Sequence, residues 1–466
     1  MADKDIALMA HLMRRAGFSA PYEELQRRAA KGYEATVEEL LQPENAPDME
    51  DDLVSRYVGD WIGGDQEGTR CHWIYRMINT KRPLEEKIAL FWHGIMCVGQ
   101  AKVGNNHLNQ AYLKMLRRQG LGDFRTLLLE ISRNPSMVFF LDNCMSHKNA
   151  INENWGRELL ELFSLGVGMD GHPNYTEDDV KACSRAFTGW TRGNPLTGPF
   201  GGFEWRFIYD ASDHDDEEKT FLGEMGHWNG EDVVDIIVRQ PATARFISRH
   251  LYNFFVADEA LVPTWMGTPP RDPEAISLLE KAYFDSNYDI RSMLRVLFNS
   301  DFFKNARFAR VKNPAEVVVG TMRLIGGFPE LQPGVLQLDL QCQYLGMRLL
   351  DPPTVEGWHT GLDWIDSGTL MERINFTAEQ VGTVNAQGIR AIIDRLGSEG
   401  PTLPPERLVD GCLDMLGAYE LPEETRSEFI AYAQKSGPPR TGTEEFAQRV
   451  GQMLQLIVAT QEYQFA

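Results

Sequence analysis

The chain is 466 residues long, 43% hydrophobic, and carries a formal net charge of -21. That is ample apolar material for a large core, and so acidic a surface repels phosphate backbones, so no nucleic-acid partner is expected. The start MADKDIALMAHLMRRAGF carries charges where a secretory signal has an apolar run, and no window reaches the roughly 18 uncharged apolar residues of a membrane span, so a soluble, cytoplasmic protein with no membrane contact is expected.

In chain order, helical periodicity predicts amphipathic helices over 5–16, 22–42, 50–62, 68–80, 84–97, 106–118, 122–133 and 153–165. The pattern continues over 176–188, 231–239, 241–257, 273–285, 288–299, 313–326 and 335–346. Boundary residues support several of these. Thr176 can cap a helix with Asp178 and Asp179 in its first turn, Pro241 suits a first helical position, and Gly166 suits a stop. Two stretches break the pattern: 191–229, rich in Gly, Pro and Asp, and 348–369, with two prolines and two tryptophans. Only FEWRFIYD, in the first, reads as one strand of a hairpin. After a Pro-rich break at 400–405, helices return near 405–418, 422–435 and 442–461. The expected fold is all-α: a large multi-helix domain over 1–380 with two long irregular loops and at most a small β-hairpin, and a helical region over 381–466 packed on it. The six cysteines have no CxxC spacing and read as buried free thiols rather than a zinc knuckle.

The densest chemistry lies in NENWGRELLELF, from Asn152 to Phe163. On a helix, Trp155, Leu159, Leu162 and Phe163 form an apolar stripe. Glu153, Asn154, Arg157 and Glu161 fall on the opposite side, with Glu158 at their edge. Glu153–Arg157 and Arg157–Glu161 are i,i+4 pairs, so a salt-bridged solvent face explains them as well as a cleft does. If the face turns onto a cleft, a buried carboxylate there gains a raised pKa and can serve as a general acid or base.

His93 lies on the apolar helix KIALFWHGIM, where a satisfied core histidine competes with a pocket wall. Asp213, His214, Asp215 and Asp216 are adjacent acceptors in a loop, which can converge on one ion only with help from elsewhere, and Lys219 is a candidate partner for these acids. Pro352 and Pro353 stiffen PPTVEGWHTGLDW, placing Trp358, His359 and Trp364 on a rigid frame that suits a sugar, an aromatic ligand or a hydrophobic plug. There is no G-x-S-x-G elbow, P-loop, HExxH or strand-linked dinucleotide fingerprint, so no nucleotide cofactor is expected; a divalent metal remains open.

Ten ordered blocks resemble the bacterial domain of unknown function 1800. They are HLMRRAGF, KIALFWHGIM, ISRNPSMVFFLDN, NENWGRELLELFSLGVG, NYTEDDVKACSRAFTGW, HDDEEKTFLG, ATARFISRHLYNFFV, KNPAEVVVGTMR, DPPTVEGWHTGLDWI, and the pair Arg373 and Asn375. The resemblance implies a mostly helical domain. It also implies that N-E-N-x-x-R-E, H-D-x-x-x-K and P-P-x-V-x-G-W, here Asn152–Glu158, His214–Lys219 and Pro352–Trp358, are family hallmarks. Members are often exported and often encoded beside proteins resembling sulfatases and alkaline phosphatases, which implies work on extracellular polymers by association. This chain departs from the pattern in lacking an export signal, in GIMCVGQ after FWH, and in His359-Thr360 after GW.

The resulting expectation is a hydrolase-like or lyase-like enzyme acting on a small-molecule or glycan substrate. Glu153 or Glu158 is its acid or base, with His93, His214 and Asp215 completing a proton relay. Asn152, Asn154, Arg157 and Lys219 orient the substrate, and Trp190 and Trp358 wall the pocket. Two carboxylates flanking one cleft would fit glycoside hydrolysis. The alternatives are a non-catalytic binding or assembly protein whose polar motif is a hydrogen-bond network, and a metal-dependent enzyme using His93, Glu153, His214 and Asp215.

Overall fold

The computed structural model describes residues 4–49, 67–193, 196–197, 203–328, 334–435 and 437–466. The helix expected over 50–62 lies outside them. Elsewhere the molecule is built almost wholly of helices, and local chemistry sets their ends. The expected 22–42 helix is two, Tyr22–Lys31 and Tyr33–Leu41, because Gly32 between them takes φ +103. Thr176 caps Glu177–Ala186 in a reciprocal box with Asp179, and Asn313 does the same with Glu316 at Pro314–Ile325, which Gly326 ends in the left-handed region.

Among the described residues, the strands form four two-stranded antiparallel ladders. Phe207–Tyr209, from FEWRFIYD, pairs with Trp190–Arg192. Lys219–Phe221 pairs with Glu224–Gly226. These ribbons pack against helix Glu177–Ala186 and the turn after Asn143 rather than forming a layer of their own.

One continuous core runs from Ile6 to Tyr463 and includes the fully buried Trp73 and Trp92. The C-terminal helices share it: Ser367–Gly382 packs along Glu444–Val458, and Phe465 pairs with Val311. The core also holds charge. Glu86 accepts from Arg76, Arg117 and the Trp73 indole. Glu316 is bound by Lys87 and Arg310. Buried carboxylates survive in such places only when paired this fully.

Candidate functional site

Helix Asn154–Glu161 opens on an Asn152 turn, in which the Asn152 side-chain oxygen accepts the Asn154 N–H at 2.9 Å. Trp155, Gly156, Leu159 and Leu160 face the core. Gly156 is required there: a Cβ at this position would sit 2.2 Å from Ser184 Oγ, so the helix lies against Glu177–Ala186 at backbone distance.

The polar residues then divide. Arg157 points outward, forks onto Glu177 at 2.9 and 2.7 Å, and reaches Glu153 at 3.4 Å. This is the salt-bridged solvent face, and Asn154 is exposed beside it. Glu158 and Glu161 point the other way, into a cleft of about 650 Å³. Its opposite wall is Arg245, Phe246 and Arg249 on helix Pro241–Phe255, with Trp265 nearby and Thr354–Glu356 closing one end.

Most charges in the cleft are committed. Arg245 binds Glu280 and lies 3.3 Å from Asp170. Arg249 binds Glu259 at 2.9 Å and the Thr268 carbonyl at 2.9 Å, and stacks over Trp265. Glu161 accepts the Tyr175 hydroxyl at 3.0 Å. Among the described residues, the side-chain carboxylates of Glu158 and Glu356 make no hydrogen bond or ion pair. Partial burial, reinforced by the Glu161 charge and only partly offset by Arg157, pushes the Glu158 carboxyl up to about 7. A carboxyl in that state can both give and take a proton near neutrality.

Glu356 is held there by a tight approach. Gly357 takes φ +89, and a Cβ on it would lie 2.1 Å from the Gly94 carbonyl oxygen. The loop is thus pressed onto helix Pro83–Ile95, and Cys97 Sγ donates to the Val355 carbonyl at 3.1 Å.

The other expected site residues do not line this cleft. His214 donates through Nδ1 to the Thr188 carbonyl at 2.9 Å. Asp215 takes a two-pronged bond from Arg185 at 2.6 and 3.1 Å. Burial alone would raise the Asp215 carboxyl, but the Arg185 hydrogen bonds, a backbone N–H and Lys219 hold it below its usual range. Lys219, buried, donates to the Asp215 and Glu217 carbonyls. The block is a clamp on the C-terminal end of helix Glu177–Ala186, just as Arg157–Glu177 grips its N-terminal end. Trp190 is buried between Phe187 and Phe207, its N–H on Asn229 at 2.9 Å.

His93 is fully buried between Trp73 and Trp358, and burial drives its pKa down to about 3. It is therefore a neutral ring whose Nε2 accepts the Leu350 N–H at 3.1 Å. Trp358 lines a smaller cavity that shares Leu162, Val262, Pro263 and Glu356 with the main cleft.

Neither periodicity nor motif spacing marks Glu356, Arg245, Arg249 and Trp265 as cleft residues. Glu356 lies inside the P-P-x-V-x-G-W block as a lone acid with no i,i+4 partner to mark it. Trp265 stands in PTWMGTPP, which carries no charge pattern.

Among the described residues, no three His, Cys, Asp or Glu side chains are grouped to hold a metal ion, and His93, Asp215 and Glu153 lie in separate surroundings. All six cysteines are free. Among the described residues, no helix is long and apolar enough to cross a membrane.

Compared with known families, residues 11–465 match the model described as protein of unknown function (DUF1800). No curated protein and no solved structure matches the chain. With almost its whole length matched, the chain belongs to the DUF1800 family.

Proposed function

We propose that this DUF1800 protein is an acid–base enzyme of hydrolase or lyase type, acting on a polar, glycan-like substrate in the cleft beside helix Asn154–Glu161. Glu158 is the proton-transfer group and Glu356 the second carboxylate. The observation that carries the reading is Glu158 itself: a cleft carboxyl free of hydrogen bonds and ion pairs among the described residues, with its pKa pushed up to about 7. Two of the family's hallmark blocks meet in this cleft through Glu158 and Glu356. Its volume of about 650 Å³ falls within the range of small-ligand sites, and Trp265 supplies an aromatic face of the kind sugars stack on. His93 serves as a neutral wall, and His214 with Asp215 as a clamp, rather than as members of a proton relay.

The test is cleavage of a panel of neutral, acidic and amino-sugar polysaccharides, scored by new reducing ends and by unsaturated products. Glu158→Gln should remove the activity while leaving the fold intact. If Glu158 acts as a general acid, the rate falls as pH rises through about 7; if it acts as a base, it rises. Turnover unaffected by Glu158→Gln would sink the proposal.

A second reading, a binding or assembly protein, draws on the Arg157–Glu177 pair, which ties two helices together, and the Arg185–Asp215 pair, which ties a loop to a helix. Ligand binding in this cleft without turnover of any panel member would favour it.

A further inference from the structure

A second cavity, of about 980 Å³, shares no lining residue with the cleft. It lies where helix Tyr22–Lys31, the C-terminal end of Pro314–Ile325 and the N-terminal end of Gln387–Gly397 meet. On a chain of net charge -21, its wall carries Arg27, Arg28, Lys81, Arg323 and Arg395 against Glu23, Glu24, Glu39 and Asp394. The acids are spent or outlying. Glu24 and Glu39 both bind Arg28, and Glu39 also binds Lys31; Glu23 and Asp394 are exposed. Lys81, Arg323 and Arg395 have no carboxylate partner among the described residues.

Arg323 is the fixed member of this set. Its Nε donates to the Ser19 carbonyl at 3.3 Å, and its Nη1 to the carbonyls of Ile78, Met77 and Thr80 at 2.9, 3.3 and 3.4 Å. These carbonyls mark the negative end of helix Glu67–Asn79, so backbone rather than a counter-ion anchors the guanidinium. Burial pulls its pKa below the ordinary value; Glu24 opposes that fall and Arg28 adds to it. The group stays charged throughout. Among the described residues Nη2 makes no hydrogen bond, and it keeps access to solvent.

Helix Gln387–Gly397 brings a second positive group to the same wall. Ala386 caps it with no side-chain hydrogen bond, and the N–H groups of Gln387 and Gly388 are unpaired among the described residues. A Cβ on Gly388 would lie 2.0 Å from the Leu324 carbonyl oxygen, so this first turn rests directly on the helix that carries Arg323. Helix N-termini and fixed guanidinium groups both bind oxyanions. A phosphate ester supplies three acceptor oxygens and roughly two negative charges. The cavity is far larger than a phosphate ion, and Ile78, Pro83, Leu324 and Ile392 offer apolar surface to a carbon skeleton.

We propose that this cavity binds a small phosphate ester, its phosphate on Arg323 Nη2 and the first turn of helix Gln387–Gly397, with Lys81 and Arg395 at the rim. Such binding is independent of the chemistry in the cleft. Calorimetric titration of the full chain would compare glucose 6-phosphate and glycerol 3-phosphate with glucose, glycerol, inorganic phosphate, glucose 6-sulfate and citrate. At least one ester should bind with a Kd below about 1 mM and about tenfold or more tighter than its hydroxyl parent, the scale of one charge-assisted hydrogen bond. Arg323→Gln should remove about that factor. Because it also loosens the end of helix Glu67–Asn79, a second variant guards against a folding artefact. Lys81→Gln combined with Arg395→Gln changes two exposed side chains and should weaken binding about threefold or more with an unchanged melting curve. Glu158→Gln should bind the ester as the parent protein does. Four results would overturn the site: no ester bound below about 1 mM, the sulfate ester or citrate bound as tightly as the best phosphate ester, affinity unchanged in both the Arg323→Gln and the double variant, or binding lost in Glu158→Gln.

Discussion

Glu158 and Glu316 are both partly or wholly removed from water, yet they titrate in opposite directions. Glu158 faces a cleft with no hydrogen-bonded or ion-paired partner among the described residues, so removal from water dominates and its carboxyl rises to about 7. Its protonated form is favoured by folding. The stability this contributes is complete below the unfolded value near 4.5 and is lost as pH rises through about 7. Glu158→Gln should therefore melt higher than the parent protein at pH 8 and equally at pH 4, a comparison that thermal scans across pH make directly. Glu316 is fully buried, which alone would raise it, but Arg310 and Lys87 hold it down to about 2. Its contribution is present above about 4.5 and disappears as pH falls toward 2. Glu316→Gln strands two buried cations and should cost about 3–5 kcal/mol, read as a lower urea midpoint, with a weaker dependence of stability on acid.

Helix Glu177–Ala186 shows how far elements were legible and where that stopped. Its cap, its length and its apolar face follow from neighbours within one or two turns, and Thr176 and Asp179 announce them. The partners that give the hallmark residues their roles come from further off. Arg157 looked like half of an i,i+4 ladder with Glu153 and Glu161, but its main partner is Glu177, 20 residues on. Asp215 looked like a metal ligand because Arg185, 30 residues earlier, was not visible as its counter-ion. Periodicity places Glu158 at the edge of a polar arc; it does not say that this edge, with Glu161, turns toward the cleft while Arg157 turns to solvent. Gly156 carries the same lesson for packing. Gly156→Ala gains helix propensity of nearly 1 kcal/mol but drives a methyl into Ser184 and the Val180 carbonyl, an overpacking cost of about 1–3 kcal/mol. The variant should be destabilised on balance in a denaturant melt, with Ser184→Ala restoring only part, because the Ser184 backbone nitrogen also lies 3.0 Å from the added carbon.

At the scale of the whole molecule, the expected seam near residue 380 carries the same core on both sides. Arg14 donates to the Gly417 carbonyl, and Lys312 Nζ to the Tyr463 carbonyl and the Tyr419 hydroxyl. Removing Gln464–Ala466 takes away the carbonyl that accepts the Lys312 N–H and one that accepts from Arg15. At about 1 kcal/mol or more for each lost bond, the truncated chain should unfold at clearly lower urea in one transition. Two separated transitions, with the second unchanged, would show instead that the C-terminal helices form an independent unit.

That closure has a bearing on how the protein is made. Arg15 and Ala466 are hydrogen-bonded across 451 residues, and residues 464–466 are hydrogen-bonded along 310–312. A ribosome delivers the first helix long before the segment that completes its surroundings. Until then Arg14, Arg15 and Lys312 have nowhere dry to go, and the apolar faces beside them stay open. Folding of this chain is thus expected to wait until residues 464–466 have been made rather than to proceed along the emerging polypeptide. Stalled or nicked chains lacking residues 464–466 would then be the species most prone to aggregate and most dependent on chaperones.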